Sequence, residues 1–220
     1  MVKKADPFRQ AIRLGLKRTL PRRVFLVDGP ATDRAVALTF DDGPHPQYTE
    51  RILSVLAAAN VKATFFFRGD CALRYPDIVR RTMGEGHDIG NHSFSHSEPN
   101  ETSAFALAEE LLRTSALLKL LTGKRPYLFR PPKGALSPVK FLAVAATRHT
   151  IALWNRDPED YLGDVEGANA RMFALPLDPG DIVLLHDTHS VALSLLPRLI
   201  DECRARGLSF TTLSGWANST

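Results

Sequence analysis

The chain has 220 residues and a formal net charge of +4, a length that suits one domain with a substantial core. Hydrophobic residues make up 44% and charged residues 24%, the balance of an ordinary globular protein. No apolar stretch approaches membrane-spanning length, and no interleaved basic and aromatic stripe marks a nucleic-acid surface.

The charge is uneven. Residues 1–30 carry eight basic against two acidic residues, a net +6, which leaves −2 for the remainder. A basic start without a following apolar run is not a secretory signal. The expected compartment is therefore the cytoplasm by default, with a removed leader left open. Cys71 and Cys203 lie far apart and read as two reduced thiols rather than a disulfide framework.

In chain order, residues 1–30 form a basic arm. Phe8, Ala11, Ile12, Gly15 and Leu16 share one face at helical spacing. Such a helix caps one end of the domain or makes weak contact with an anionic membrane surface. The catalytic unit is expected over 31–220 as a single α/β domain. Strand patterns fall at Ala35–Phe40, Ala63–Phe67, His87–Asn91, Tyr127–Arg130, Thr150–Trp154, Asp181–His186 and Leu208–Thr212. Helical patterns fall between them at Thr49–Ala59, Asp77–Met83, Ser103–Leu121, Pro138–Thr147, Val165–Phe173 and Ala192–Arg206. This alternation predicts βαβ units around a parallel sheet or barrel.

Chemistry-bearing residues gather at the predicted carboxyl ends of the strands, which share one face in such folds. Asp41 and Asp42 end the first strand in Thr39-Phe40-Asp41-Asp42-Gly43-Pro44. Two adjacent acids after an apolar strand are costly to bury as charges, and a cation would relieve that cost. Adjacent residues point opposite ways on an extended chain, so one could hold a cation and the other a water. A solvated turn is the plainer alternative for this segment. Gly90-Asn91-His92-Ser93-Phe94-Ser95-His96 supplies two imidazoles, which with one carboxylate leave coordination positions open. Arg130, in the rigid Phe129-Arg130-Pro131-Pro132-Lys133-Gly134 turn, can orient a buried carboxylate. His186 ends Ile182-Val183-Leu184-Leu185-His186-Asp187, where a nearby carboxylate would keep it protonated for acid duty. His45, His87, His149 and His189 read as surface or locally bonded residues.

Together TFDDGP, HSFSH, RPPKG, the Asp157-Pro158-Glu159-Asp160-Tyr161 segment and LLH make the chain resemble the polysaccharide deacetylase family, which includes chitin and peptidoglycan N-acetylglucosamine deacetylases and the rhizobial nodulation deacetylase. The match runs from about residue 35 to 213. The resemblance implies a distorted (β/α) barrel of about seven parallel strands that hydrolyses N-acetyl groups of an amino-sugar glycan. It implies one divalent metal on Asp42, His92 and His96, with Zn²⁺ preferred and Co²⁺, Ni²⁺ or Mn²⁺ also fitting. It implies Asp41 as the general base, oriented by Arg130, and His186 as the acid for the leaving amine, tuned by Asp157. The Lys133 backbone N–H would help hold the oxyanion, Leu184 would line the acetyl pocket, and Tyr161 would border the substrate.

Two positions depart from the family's usual pattern. Lys133 stands where an aromatic residue is common, and Tyr161 where tryptophan is common. A lysine at the rim would suit an anionic group near the acetamide. Rival readings are a related amide hydrolase acting on a formyl group or a small amide, and a glycan-binding protein with a dead site. The intact Asp41, Asp42, His92, His96 and His186 oppose the latter. A glycosidase fails on geometry, because its two carboxylates must flank a glycosidic bond from opposite sides. The sequence sets neither the glycan nor the oligomeric state.

Overall fold

The computed structural model describes Gly15 and residues 19–217. The expected arm helix falls outside the described residues, Gly15 excepted. Eight strands are present among the described residues: β1 (Phe25–Leu26), β2 (Ala35–Asp41), β3 (Thr64–Phe67), β4 (Asp88–Asn91), β5 (Leu128–Phe129), β6 (Thr150–Ala152), β7 (Ile182–His186) and β8 (Ser209–Thr211). Eight α-helices accompany them: α1 (Tyr48–Ala58), α2 (Gly69–Arg74), α3 (Pro76–Gly84), α4 (Ala104–Thr122), α5 (Pro138–Ala146), α6 (Val165–Met172), α7 (Val191–Ala205) and α8 (Leu213–Ala217). All seven predicted strands and all six predicted helices are found, within a few residues of the expected ends. β1, α2 and α8 are additional, and β1 lies inside the stretch that the sequence assigned to the arm.

The sheet runs β1-β6-β5-β4-β3-β2-β7, with β8 beside the first half of β2. Every strand pair is parallel. Beyond β6, Arg156 forms an isolated parallel bridge with Val183 of β7. Arg156 N donates to Ile182 O at 3.1 Å and Leu184 N to Arg156 O at 2.9 Å. The segment after β6 thus touches β7 through one bridge, and the sheet is not closed by a continuous ladder.

Local chemistry explains the elements. β2 reads Ala-Val-Ala-Leu-Thr-Phe-Asp and is buried at all seven positions, as a parallel strand covered on both faces must be. Phe40, Phe65, Leu38 and Val36 pack with Leu53 and Leu56 of α1 and Leu195 and Leu199 of α7 in the main core. α4 starts where Ser103 Oγ accepts the Ala106 N–H at 3.0 Å. It stops at Gly123, whose φ of 74° is the left-handed cap that glycine adopts without a Cβ penalty. Neither cysteine is bonded. Burial pushes the Cys71 thiol up to about 11 and Cys203 up to about 12, so both are inert thiols. Because the strands are parallel, the ends of β2, β4, β5 and β7 open on one rim.

Candidate active site

Asp41 is the last residue of β2 and is 3% exposed. Its Oδ1 accepts from Arg130 Nη1 at 2.8 Å. Arg130 follows β5 and is itself fully buried. The same Nη1 donates to Thr39 Oγ1 at 2.7 Å, Nε to Ala152 O at 3.1 Å and Nη2 to Leu153 O at 3.0 Å. The guanidinium lies over the Phe66 ring, 4.2 Å from its centroid. A planar, permanently charged fork held at this many points fixes one carboxylate oxygen of Asp41. Burial raises the Asp41 carboxyl above the usual carboxylate range, against the opposing pull of Arg130 and His186.

Asp42 turns the opposite way, with φ of 75°. Its Oδ1 lies 3.5 Å from His92 Nε2 and 3.4 Å from His96 Nε2. His92 Nδ1 meets the Arg130 carbonyl at 2.7 Å. That carbonyl can only accept, so Nδ1 carries the proton and Nε2 presents a lone pair toward Asp42. Burial is the main force on His92 and holds its pKa down to about 3, overriding Asp42. The imidazole is therefore neutral, as a metal ligand must be. One carboxylate and two imidazoles converge with donor atoms within 4.8 Å of one another. Asp42 Oδ1 is buried with no hydrogen-bond partner, a state that costs about 1–3 kcal/mol unless something else satisfies it. The residues thus fit a divalent cation.

The histidine loop is held from beneath. Ser93 and His96 have φ of 63° and 56°, each a conformation that persists only where the surroundings enforce it. Ser93 N donates to Asn91 Oδ1 at 2.9 Å, and His96 N to Ser93 Oγ at 3.1 Å. Glu110 of α4 accepts from Phe94 N, Ser95 N and Ser95 Oγ at 3.0, 3.1 and 2.7 Å. Burial works against the Glu110 carboxylate, but these hydrogen bonds prevail and lower its pKa. No sequence pattern pointed to Glu110.

His186 ends β7, and the carboxylate that touches it is Asp160, not the expected Asp157. Asp160 Oδ1 lies 2.7 Å from His186 Nδ1, and its Oδ2 accepts the His186 backbone N–H at 2.8 Å. Burial alone would lower the imidazole pKa, but the hydrogen bond and charge of Asp160, then Asp41 and Asp42, push it up to about 9. Asp157 instead accepts from Trp154 Nε1 at 3.2 Å and Glu159 N at 2.8 Å. Both acids lie in the D-P-E-D-Y segment, and the expectation fell on the wrong one. Glu159 has φ of 53° at the start of the turn Asp160–Leu162, in which Asp160 is buried.

The remaining candidates are also placed. Lys133 has φ of 56° and its Nζ sits 2.5 and 2.7 Å from the Glu98 carboxylate oxygens. The anionic group beside it in the structure is thus the exposed Glu98 side chain. Leu184 is buried in β7, 3% exposed. The Tyr161 ring stands edge-on to His186, centroids 5.4 Å apart. His45, His87 and His149 are locally bonded, as expected: His87 Nδ1 accepts from Ala63 N, and His149 is bracketed by Ser115 and Thr147.

Comparison with known proteins decides the family. The polysaccharide deacetylase profile matches residues 28–152. The chain belongs to the polysaccharide deacetylase family. It is 33% identical over 193 residues to a peptidoglycan-N-acetylglucosamine deacetylase of Bacillus cereus, covering 86% of this chain and 70% of that one. The structure matches that of a peptidoglycan N-acetylglucosamine deacetylase with a TM-score of 0.84 at 30% identity, over 89% of this chain and 94% of the other. It also matches a CE4 family pseudoenzyme from Bacillus anthracis with a TM-score of 0.81 at 22% identity, over 89% and 69%. That likeness shows the fold alone, so the argument for chemistry rests on the residues of the rim.

Proposed function

We propose that the protein removes N-acetyl groups from an amino-sugar glycan of the N-acetylglucosamine type and releases acetate, with Zn²⁺ on Asp42, His92 and His96. One observation carries the reading. A single rim holds an oriented carboxylate and an oriented, protonated imidazole beside a cluster fit for a cation. Amide hydrolysis needs that set: a base for water, an acid for the amine, and a positive charge for the oxyanion. Two imidazoles and one carboxylate suit Zn²⁺ with an open position. When bound, such an ion polarises the acyl oxygen and lowers the pKa of water.

Asp41, held by Arg130, accepts the proton of the attacking water, whose oxygen adds to the acyl carbon. The Lys133 backbone N–H supports the resulting oxyanion. His186 passes its proton to the amide nitrogen as the C–N bond breaks, so the sugar leaves as an amine and the acyl group as acetate. Asp160 holds His186 in its charged form until that step. Leu184 lines the seat of the acetyl methyl group, and Tyr161 borders the sugar.

The test is acetate release from N-acetylglucosamine oligomers by metal-loaded and chelated protein. Activity should vanish on chelation, return with Zn²⁺, and be lost in His92→Ala. Bound metal without acetate would refute N-acetyl hydrolysis for this site.

A further inference from the structure

A second donor cluster sits beside the first. Asp160, His186 and His189 place ligand atoms within 4.8 Å of one another. They come from two segments: the turn Asp160–Leu162, and the end of β7 with the loop that leads to α7. His189 is the odd member among the histidines. Both its ring nitrogens are buried with no hydrogen-bond partner, whereas His45, His87, His92 and His149 each engage a neighbour through a ring nitrogen. Its ring lies nearly parallel to that of His186, with centroids 6.2 Å apart and planes 29° apart. An unsatisfied buried nitrogen is destabilising unless something else satisfies it, and Asp42 Oδ1 carries the same mark in the first cluster.

We propose that Asp160, His186 and His189 form a second divalent-cation site whose occupation inhibits the enzyme. The donor set is again one carboxylate and two imidazoles, the set that suits Zn²⁺. Occupation is inhibitory because His186 is shared. A cation on either ring nitrogen displaces the proton that nitrogen would hold, and the imidazole can no longer act as an imidazolium acid. The site is weaker than the Asp42 cluster for a geometric reason. His186 Nδ1 and Asp160 Oδ1 already bond each other at 2.7 Å, and the cation must break that contact, whereas Asp42 Oδ1 has no such bond to lose. The enzyme is thereby active over a window of cation concentration. The inhibitory half of the proposal rests on His186 being the general acid; the binding half does not.

The experiment titrates chelated protein with Zn²⁺ by calorimetry and measures acetate release on the same samples. Wild type should show a tight event with which activity appears and a weaker event with which it declines. His189→Ala should keep the tight event and the maximal rate. Its weak event should fade by at least the roughly 10–100-fold that loss of even a supporting group costs a metal site, and inhibition should move to correspondingly higher Zn²⁺. A single binding event in wild type, or inhibition unchanged in His189→Ala, would overturn the proposal. If no acetate forms at any Zn²⁺ level but the weak event is present in wild type and lost in His189→Ala, the cation site stands and the deacetylase reading falls.

Discussion

A histidine serves as an acid at neutral pH only if something holds its proton against burial. In His186 that something is Asp160, which engages both the ring and the backbone N–H. Asp160→Asn should drop the imidazole pKa from about 9 toward its ordinary value near 6.5. The deacetylation rate should fall by about 10²-fold or more, the range of a lost general acid, and the alkaline limb of its pH profile should move to lower pH. Asp157→Asn should leave that limb in place, because Asp157 bonds Trp154 and Glu159 instead. The same shift has a stability consequence. A folded pKa raised above the unfolded one stabilises the protein fully below the unfolded pKa, and that contribution is lost as pH rises through the folded one. Metal-free wild type should therefore lose thermal stability between about pH 6.5 and 9, and Asp160→Asn should lose less over that window. Melting curves at stepped pH would show it. A flat difference between the two proteins would remove Asp160 from this role.

The ligand loop is built as an element rather than as two histidines. His92 is fixed by β4 and by the Arg130 carbonyl, but His96 lies in a loop with positive φ at Ser93 and at His96 itself, and that loop is held by Glu110 of α4. Glu110→Ala should therefore weaken Zn²⁺ binding by about 10–100-fold, as loss of outer support does, while the rate at saturating metal stays near wild type. Competition with a chromogenic chelator measures the first, and acetate release the second. Much of this region is legible in the sequence. Asp42, His92 and His96 stand at strand ends or in the loop just beyond, and apolar periodicity locates those ends. Glu110 is not legible, because a glutamate on a long amphipathic helix looks like any solvated face until the tertiary fold brings the loop over it. Asp157 is the expected partner of His186 and Asp160 the actual one, because both lie in one irregular segment whose turn geometry no period announces. β1 was missed for a related reason. Two residues are too short to show alternation, and Phe25–Leu26 become a strand only by pairing with Ile151 and Ala152.

The whole molecule must keep the rim rigid while its sheet is joined by a single bridge, and the opposite end supplies closure. α8 tucks Trp216 beneath the sheet, 2% exposed, with Leu26, Ala35, Ala37 and Ile182 in one cluster. Its indole N–H donates to Asp33 Oδ2 at 2.6 Å. The ring also lies so close to Gly29 that a Cβ there would come within 2.5 Å of it. This one side chain therefore ties the chain before β2 to β1, β2 and β7. Trp216→Ala should destabilise the fold by about 3–5 kcal/mol, the usual cost of emptying a buried aromatic site. Because Trp216 packs with Ala35 and Ala37 at the start of β2, whereas Asp41 and Asp42 stand at its far end, the folded fraction should keep its zinc stoichiometry and its rate per active site. Urea melts paired with active-site titration separate the two effects. A rate that falls in step with stability, at temperatures where the variant is fully folded, would mean that closure at the base also sets the geometry of the rim.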